Sequence, residues 1–162
     1  MLLISDANIL IDMEAGELLQ KFFRLPMRIG IPDILYREEI EPGSPGLEAL
    51  GLLLVEIEGY FVEYAFNLPL RYGNGPSHND YLALALAKQE KCPLLTGDQA
   101  LKKVAIAEKV DTKGTIWVLK SMVSHKVIDL KEALDSLDKM KQSGRRRPWD
   151  EAERLLKAIG KE

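Results

Sequence analysis

Short apolar runs alternate along this chain with longer stretches of helical periodicity, and this alternation limits the folds open to it. Strands that alternate with helices of roughly 10–15 residues are typical of βαβ units, whose strands form a parallel sheet covered by helices. We therefore predict an α/β protein with a mostly parallel central sheet. The predicted strands are residues 2–5, 28–31, 52–57, 93–96 and 115–119, and the predicted helices between them are 8–23, 34–40, 81–90 and 99–109. The type of segment 60–70 stays open.

The C-terminal part of the chain has a helical pattern, with predicted helices at 120–125, 130–141 and 149–159. At 162 residues the chain has the length of one domain that buries its own core. We predict a single domain over 1–162, with a core of about 1–128 and extra C-terminal helices over 129–162. The apolar N-terminal run contains Asp6 and Asp12 and lacks a basic start, so we expect neither a signal peptide nor a membrane span there.

The net charge of −3 argues against a protein that holds nucleic acid by a basic surface alone. Acids gathered at one site weaken this objection, because bound divalent cations reverse the local charge. Lysines and arginines are concentrated towards the C-terminal half, which leaves room for a local basic face. The single cysteine, Cys92, excludes an internal disulfide and favours a reducing cytoplasm.

Four acids fall next to predicted strand ends or in the helices that follow them. They are Asp6 after the first strand, Glu38 in the helix after the second, Asp80 at the start of a Leu/Ala-rich helix, and Asp98 after the fourth strand. The carboxyl ends of parallel strands share one edge of a sheet, where ligands usually bind. Carboxylates gathered there repel one another, and a hard divalent cation such as Mg²⁺ removes that repulsion. The pattern predicts a metal site at this edge.

Each of these acids also has a purely structural interpretation. Asp6 and Asp98 stand where a helix N-cap is expected, and Asp80 stands three residues after Ser77, as in a capping box. Glu38 has the pattern of a solvated helix residue beside Glu39. Taken singly, each acid favours the structural interpretation, whereas the four together favour the site.

The same residues carry a resemblance to a known family. Segment 3–12 has an apolar strand that leads to Asp6 and Asn8, and segment 80–98 has an Ala-rich helix followed by a strand that ends in Thr96-Gly-Asp98. With segment 31–40, these resemble PIN-domain proteins. The resemblance implies a three-layer α/β/α fold, dependence on Mg²⁺ or Mn²⁺, and cleavage of single-stranded RNA. By position it makes the catalytic and metal-binding acids Asp6, Glu38, Asp80 and Asp98, with Asn8 and Thr96 as supporting polar groups.

The second acid stays open between Glu38 and Glu39, because only one of two adjacent residues can point into the cleft. Counting from Pro32 without a gap favours Glu38. Segment 46–75 matches the family poorly, so no role is transferred to it.

The C-terminal segments 114–120, 127–130 and 144–156 are similar to a PIN subfamily near the VapC-type toxins. This similarity implies the toxin of a toxin–antitoxin module, with a protein antitoxin and a homodimer among its expected partners. Arg145, Arg146 and Arg147 are candidates for contact with RNA phosphates, the alternative being a charged loop whose neighbour Trp149 anchors the last helix. Candidate apolar contacts for an antitoxin or a second copy are Phe22, Phe23, Leu52 and Phe61.

Two other functions compete with an RNA-cleaving enzyme. The first is a PIN-like module that binds RNA or a partner protein without turnover. The second is a DNA nuclease with the same metal site. A phosphatase or phosphotransferase fits less well, because the chain has no Gly-rich phosphate loop.

Overall fold

The computed structural model describes residues 1–145 and 149–159, and its centre is a five-stranded sheet. The strands lie in the order β3-β2-β1-β4-β5, and every neighbouring pair is parallel. The predicted α/β fold with a parallel sheet is therefore confirmed. The strand bounds are Leu2–Ser5 (β1), Arg28–Pro32 (β2), Leu53–Val55 (β3), Leu94–Leu95 (β4) and Thr112–Lys113 (β5).

Helices flank this sheet and connect its strands. The α-helices of the described residues are Ala7–Ala15 (α1), Leu19–Phe22 (α2), Asp33–Leu35 (α3), Gly59–Tyr72 (α4), His78–Glu90 (α5), Gln99–Ala107 (α6), Thr115–Ser124 (α7), Leu130–Gln142 (α8) and Trp149–Ile159 (α9). A π-helical turn, Tyr36–Ile40, continues α3, and a 3₁₀ helix spans Leu47–Leu50. None of the helices in the described parts of the chain is long and apolar enough to cross a bilayer.

The direction of chain travel across the sheet reverses between β1 and β4. β2 and β3 lie on one side of β1, whereas β4 and β5 lie on the other. At such a reversal the connections leave in opposite directions and open a crevice at the carboxyl ends of the strands. Asp6 directly follows β1, and Thr96 directly follows β4. Both residues therefore stand at the crevice.

Helix α5 packs against the sheet and sets the position of Asp80. Its residues from Tyr81 to Ala87 are all buried, and the helix contacts β1, β2 and β4. Alternating Ala and Leu suits this placement, since small side chains allow close approach while leucines fill the adjoining space. Because α5 is buried around its first turns, its N-terminal residues are fixed relative to the strand ends.

The predicted strand at 115–119 is wrong, because those residues begin helix α7. The β-branched and aromatic run Thr-Ile-Trp-Val resembles a strand in composition. In the structure, however, Thr115, Val118, Leu119 and Met122 are the buried positions, which is the spacing of a helix face. The fifth strand lies just before this helix, at Thr112–Lys113.

The predicted helix over 8–23 is divided into α1 and α2. The division follows Gly16, where an added Cβ would lie 2.7 Å from the Cε of Met140 in α8. Glu17 then adopts a positive φ of 59°, which ends the first helix. The open segment 60–70 is part of α4.

The apolar residues expected to bind an antitoxin or a second copy do not form an exposed surface. Phe22 and Leu52 are buried, and Phe23 and Phe61 pack against the core. The expected exposure is therefore wrong for Phe22 and Leu52, whose side chains belong to the apolar core.

Candidate active site

Asp6 is fully buried at the carboxyl end of β1 and caps helix α1. Its Oδ1 accepts a hydrogen bond from the backbone N–H of Ile9 at 3.0 Å. Its Oδ2 accepts a second from the hydroxyl of Thr96 at 2.5 Å. The predicted cap is therefore present, and the second hydrogen bond joins two strands that lie 90 residues apart in sequence.

The Thr96 hydroxyl connects Asp6 to Asp98. Its Oγ1 accepts a hydrogen bond from the backbone N–H of Asp98 at 3.1 Å. Asp98 in turn caps helix α6, and its Oδ1 accepts from the N–H of Leu101 at 3.0 Å. One buried hydroxyl thus links the carboxylate of Asp6 to the backbone of Asp98, across the chain reversal.

Asp80 lies in the predicted capping box at the start of α5. Its carboxylate accepts from the N–H of Ser77 at 2.9 Å, and its own N–H donates to the Ser77 hydroxyl at 3.1 Å. Burial is the main cause that raises the pKa of Asp80, the hydrogen bonds from Ser77 oppose it, and the charge of Asp98 adds to the rise. Asp80 and Asp98 are therefore near enough for their charges to interact.

The two adjacent glutamates lie in the π-helical turn, on the side that faces the start of α5. The Asn79 side-chain amide donates from Nδ2 to Oε2 of Glu38 at 3.0 Å, and both glutamates are exposed. Burial first, and then the charges of Asp80 and Glu38, raise the pKa of Glu39, while a hydrogen bond with Asn79 lowers it. Asn79 thus contacts the glutamate pair, and Glu39 is the member that responds to Asp80.

Four separate segments therefore place acids at one edge of the sheet, where Asp6 and the backbone of Asp98 share the Thr96 hydroxyl, the charge of Asp98 raises the pKa of Asp80, and that of Asp80 raises the pKa of Glu39. A family model described as a PIN domain matches residues 2–161. The chain belongs to the PIN-domain family. PIN domains are generally nucleases and typically use divalent metals. A search of curated proteins finds no match to this chain.

The acids of this PIN domain are not arranged as a ready-made metal site. In residues 1–145 and 149–159, no three His, Cys, Asp or Glu side chains are close enough together to hold an ion. The donors nonetheless suit Mg²⁺ or Mn²⁺, which prefer carboxylate and amide oxygens. Oδ1 of Asn79 is such an oxygen, and it is buried without a hydrogen-bond partner in the described part of the chain. The donor types therefore fit a divalent cation.

A buried ion pair beside the site was not anticipated from the sequence. Asp12 in α1 is fully buried, and its Oδ1 pairs with Nε of Arg145 at 2.6 Å. Its Oδ2 accepts from the Thr115 hydroxyl at 2.7 Å. Nη2 of Arg145 also donates to Oδ1 of Asn8 at 3.1 Å. The only sequence signal is that Asp12 interrupts an apolar helical run, where a carboxylate requires a partner.

The arginines predicted to contact RNA are in different situations. The guanidinium of Arg145 is engaged by Asp12 and Asn8, and the backbone carbonyl of Arg145 accepts from the indole N–H of Trp149 at 3.1 Å. Arg146 and Arg147 lie outside the described residues. The contact of these arginines with RNA stays a prediction.

Proposed function

We propose that this PIN domain is a divalent-metal-dependent endoribonuclease that cleaves single-stranded RNA. The observation that carries the proposal is the hydrogen-bonded series Asp6–Thr96–Asp98 across the reversal between β1 and β4. Helix capping alone does not account for the Thr96 hydroxyl, which donates to Asp6 and accepts from the backbone N–H of Asp98. Asp80 lies close enough to Asp98 to have its pKa raised, so the acids persist together despite mutual repulsion.

The position of each residue determines its proposed role in metal binding and cleavage. Asp6, Asp80 and Asp98, with one of the glutamates, would hold Mg²⁺ or Mn²⁺. A bound divalent ion supplies Lewis-acid activation of water and neutralises charge that develops on the phosphate. Thr96 fixes Oδ2 of Asp6 and the backbone of Asp98, so it orients two acids with one hydroxyl. Asn8 lies in the first turn of α1, one turn before Asp12, and its side-chain oxygen accepts a hydrogen bond from Arg145. In the proposal it helps to fix the N-terminal end of α1.

Metal binding can be tested without any cleavage assay. Mn²⁺ at about 100 times its dissociation constant stabilises a protein by about 2.7 kcal/mol. For a chain of this size, that corresponds to an increase in Tm of about 5–10 °C. We expect this increase for the wild type in a thermal melt, and its loss in an Asp6→Asn/Asp98→Asn double variant. An equal increase in both proteins would contradict the proposed site.

The identity of the second acid can be tested with a matched pair of variants. Both glutamates are exposed, and partial desolvation and the charge of Asp80 raise the pKa of Glu39. We expect Glu39→Gln to reduce Mn²⁺-dependent cleavage by at least about tenfold, the lower end of the effect of losing an outer-shell partner. Glu38→Gln should have the smaller effect. The reverse order, measured as kcat on one RNA oligonucleotide, would assign the role to Glu38 as counted from Pro32.

The proposal extends to a role as the toxin of a toxin–antitoxin module in the cytoplasm. Its support is the resemblance of segments 114–120, 127–130 and 144–156 to a PIN subfamily near the VapC-type toxins. A short reading frame of antitoxin type beside the gene would strengthen this role. A DNA nuclease and a binding module without turnover are the alternatives. Cleavage of single-stranded RNA and DNA compared at one salt concentration separates them, because the affinity for either polymer depends on salt.

A further inference from the structure

A cavity of about 280 Å³ opens beside the acids, at the carboxyl ends of β4 and β5. Thr96, whose hydroxyl joins Asp6 to Asp98, is also part of the wall of this cavity. The other walls come from three different helices, through Gln99 and Lys102 of α6, Trp117 of α7 and Glu151 of α9. The acid site and the cavity therefore share a residue.

The wall of the cavity has the chemistry that single-stranded nucleic acids require. Trp117 is half-buried, and Nζ of Lys113 lies 5.8 Å from its ring centroid. Nucleobases stack on such aromatic side chains regardless of their identity. Lys102 is exposed and makes no ion pair with a carboxylate in the described residues, so its ammonium is available to a phosphate.

Two polar side chains in the lining of the cavity suit the edge of a base. Glu151 is exposed and supplies carboxylate oxygens, which accept from the amino groups of bases. Gln99 supplies both a donor and an acceptor. The volume is at the low end for ligand pockets, which suits one nucleotide rather than a longer segment.

We propose that this cavity, lined by Thr96, Lys102, Trp117 and Glu151, binds the nucleotide next to the scissile phosphate of the RNA. The proposal rests on the proposed ribonuclease function, and it makes helix α9 of the C-terminal extension a part of the substrate site. Trp117 stacks on the base, Glu151 selects among bases through their amino groups, and Lys102 contacts the adjoining phosphate.

The experiment measures binding in EDTA, where no cleavage occurs, with nucleosides and their 5′-monophosphates as probes. The chain has two tryptophans, so its indole N–H spectrum contains two signals, and Trp117→Phe identifies which belongs to Trp117. We expect nucleosides to shift the Trp117 signal and leave the Trp149 signal in place. Trp117→Ala should weaken binding by about 5- to 150-fold, the effect of losing one stacked base. The unchanged Trp149 signal verifies that this variant is folded.

Two exposed neighbours on α6 provide the matched control for the phosphate contact. Lys102→Ala should weaken binding of the monophosphate but not of the nucleoside, whereas Lys103→Ala, which removes the next charge along the helix, should change neither. Glu151→Gln should alter the order of affinity among the four nucleosides. A Trp117 signal that does not move, or equal effects of the two lysine variants, would overturn the proposal.

The outcomes also separate this inference from the proposed function. Nucleotide binding at Trp117 in a protein that cleaves no RNA with Mn²⁺ would support the cavity and contradict the nuclease. RNA cleavage with the same KM and base preference in the wild type, Trp117→Ala, Lys102→Ala and Glu151→Gln proteins would support the nuclease and contradict the cavity.

Discussion

Replacing Asp98 with asparagine is expected to lower Mn²⁺-dependent cleavage of single-stranded RNA by more than about hundredfold. Loss of an outer-shell partner of a metal typically costs about 10–100-fold, and loss of a direct carboxylate should exceed that range. The fold should survive, because asparagine also serves as an N-cap and keeps the oxygen that accepts from Leu101. The measurement is the single-turnover cleavage rate on one RNA oligonucleotide at saturating Mn²⁺.

The matched control for this variant is Asp111→Asn. Asp111 precedes β5, so it lies towards the opposite edge of the sheet, and it is an exposed acid that pairs with Lys113. The same chemical change there should leave the cleavage rate unchanged. Wild-type cleavage by Asp98→Asn, or equal loss in both variants, would contradict the metal site.

A second readout shows whether Asp98 acts on its neighbours through charge. Asp98 contributes to the raised pKa of Asp80, so Asp98→Asn should move that pKa down towards its ordinary value, as followed by NMR titration of the carboxyl group. When a carboxyl has a higher pKa in the folded state than in the unfolded state, the free energy of unfolding falls as the pH rises from the unfolded pKa to the folded pKa. In metal-free protein, the stability advantage of Asp98→Asn should therefore grow across that window and persist at neutral pH.

Much of the candidate site was predictable, because the residues that sequence rules assign as helix caps are the same residues that the proposed metal site uses. The spacing of Ser77 and Asp80 predicts a capping box, which is present, and Asp6 and Asp98 are N-caps as their positions indicate. Capping orients these carboxylates towards strand ends, and the parallel sheet brings those ends together. For these three acids, the structural and the functional interpretations are compatible.

The choice between Glu38 and Glu39 could not be made by counting. Counting from Pro32 assumes regular helical geometry, but residues Tyr36–Ile40 form a π-helical turn in which the N–H of Glu41 donates to the carbonyl of Tyr36. Such a turn has more residues than an α-helical turn, so each following side chain is rotated from its expected direction. The wrong strand at 115–119 has a related cause, because tertiary packing on one helix face outweighed β propensity.

The contact between Asp12 and Arg145 was the least predictable feature, because it joins residues 133 positions apart. Replacing Arg145 with methionine keeps an unbranched side chain but removes the cation from a carboxylate that is 0% exposed. Breaking a buried pair in this way typically costs about 3–5 kcal/mol, and the partial exposure of Arg145 favours the lower end. Tm should fall by about 6–12 °C.

Lys139→Met is the matched control, since Lys139 lies in α8 and forms an exposed ion pair with Glu17. Exposed pairs are screened by water, so this variant should barely change Tm. The Asp12→Asn/Arg145→Met double variant should be less destabilised than the sum of its single changes, because both remove the same interaction. Additive losses, or equal effects of the two cation variants, would show that the Arg145 pair contributes no more than a surface contact. Arg145 also donates to Asn8, which lies in the first turn of α1 close to Asp6. A large fall in Tm for Arg145→Met would therefore show that the C-terminal helices help to hold this end of α1 in place.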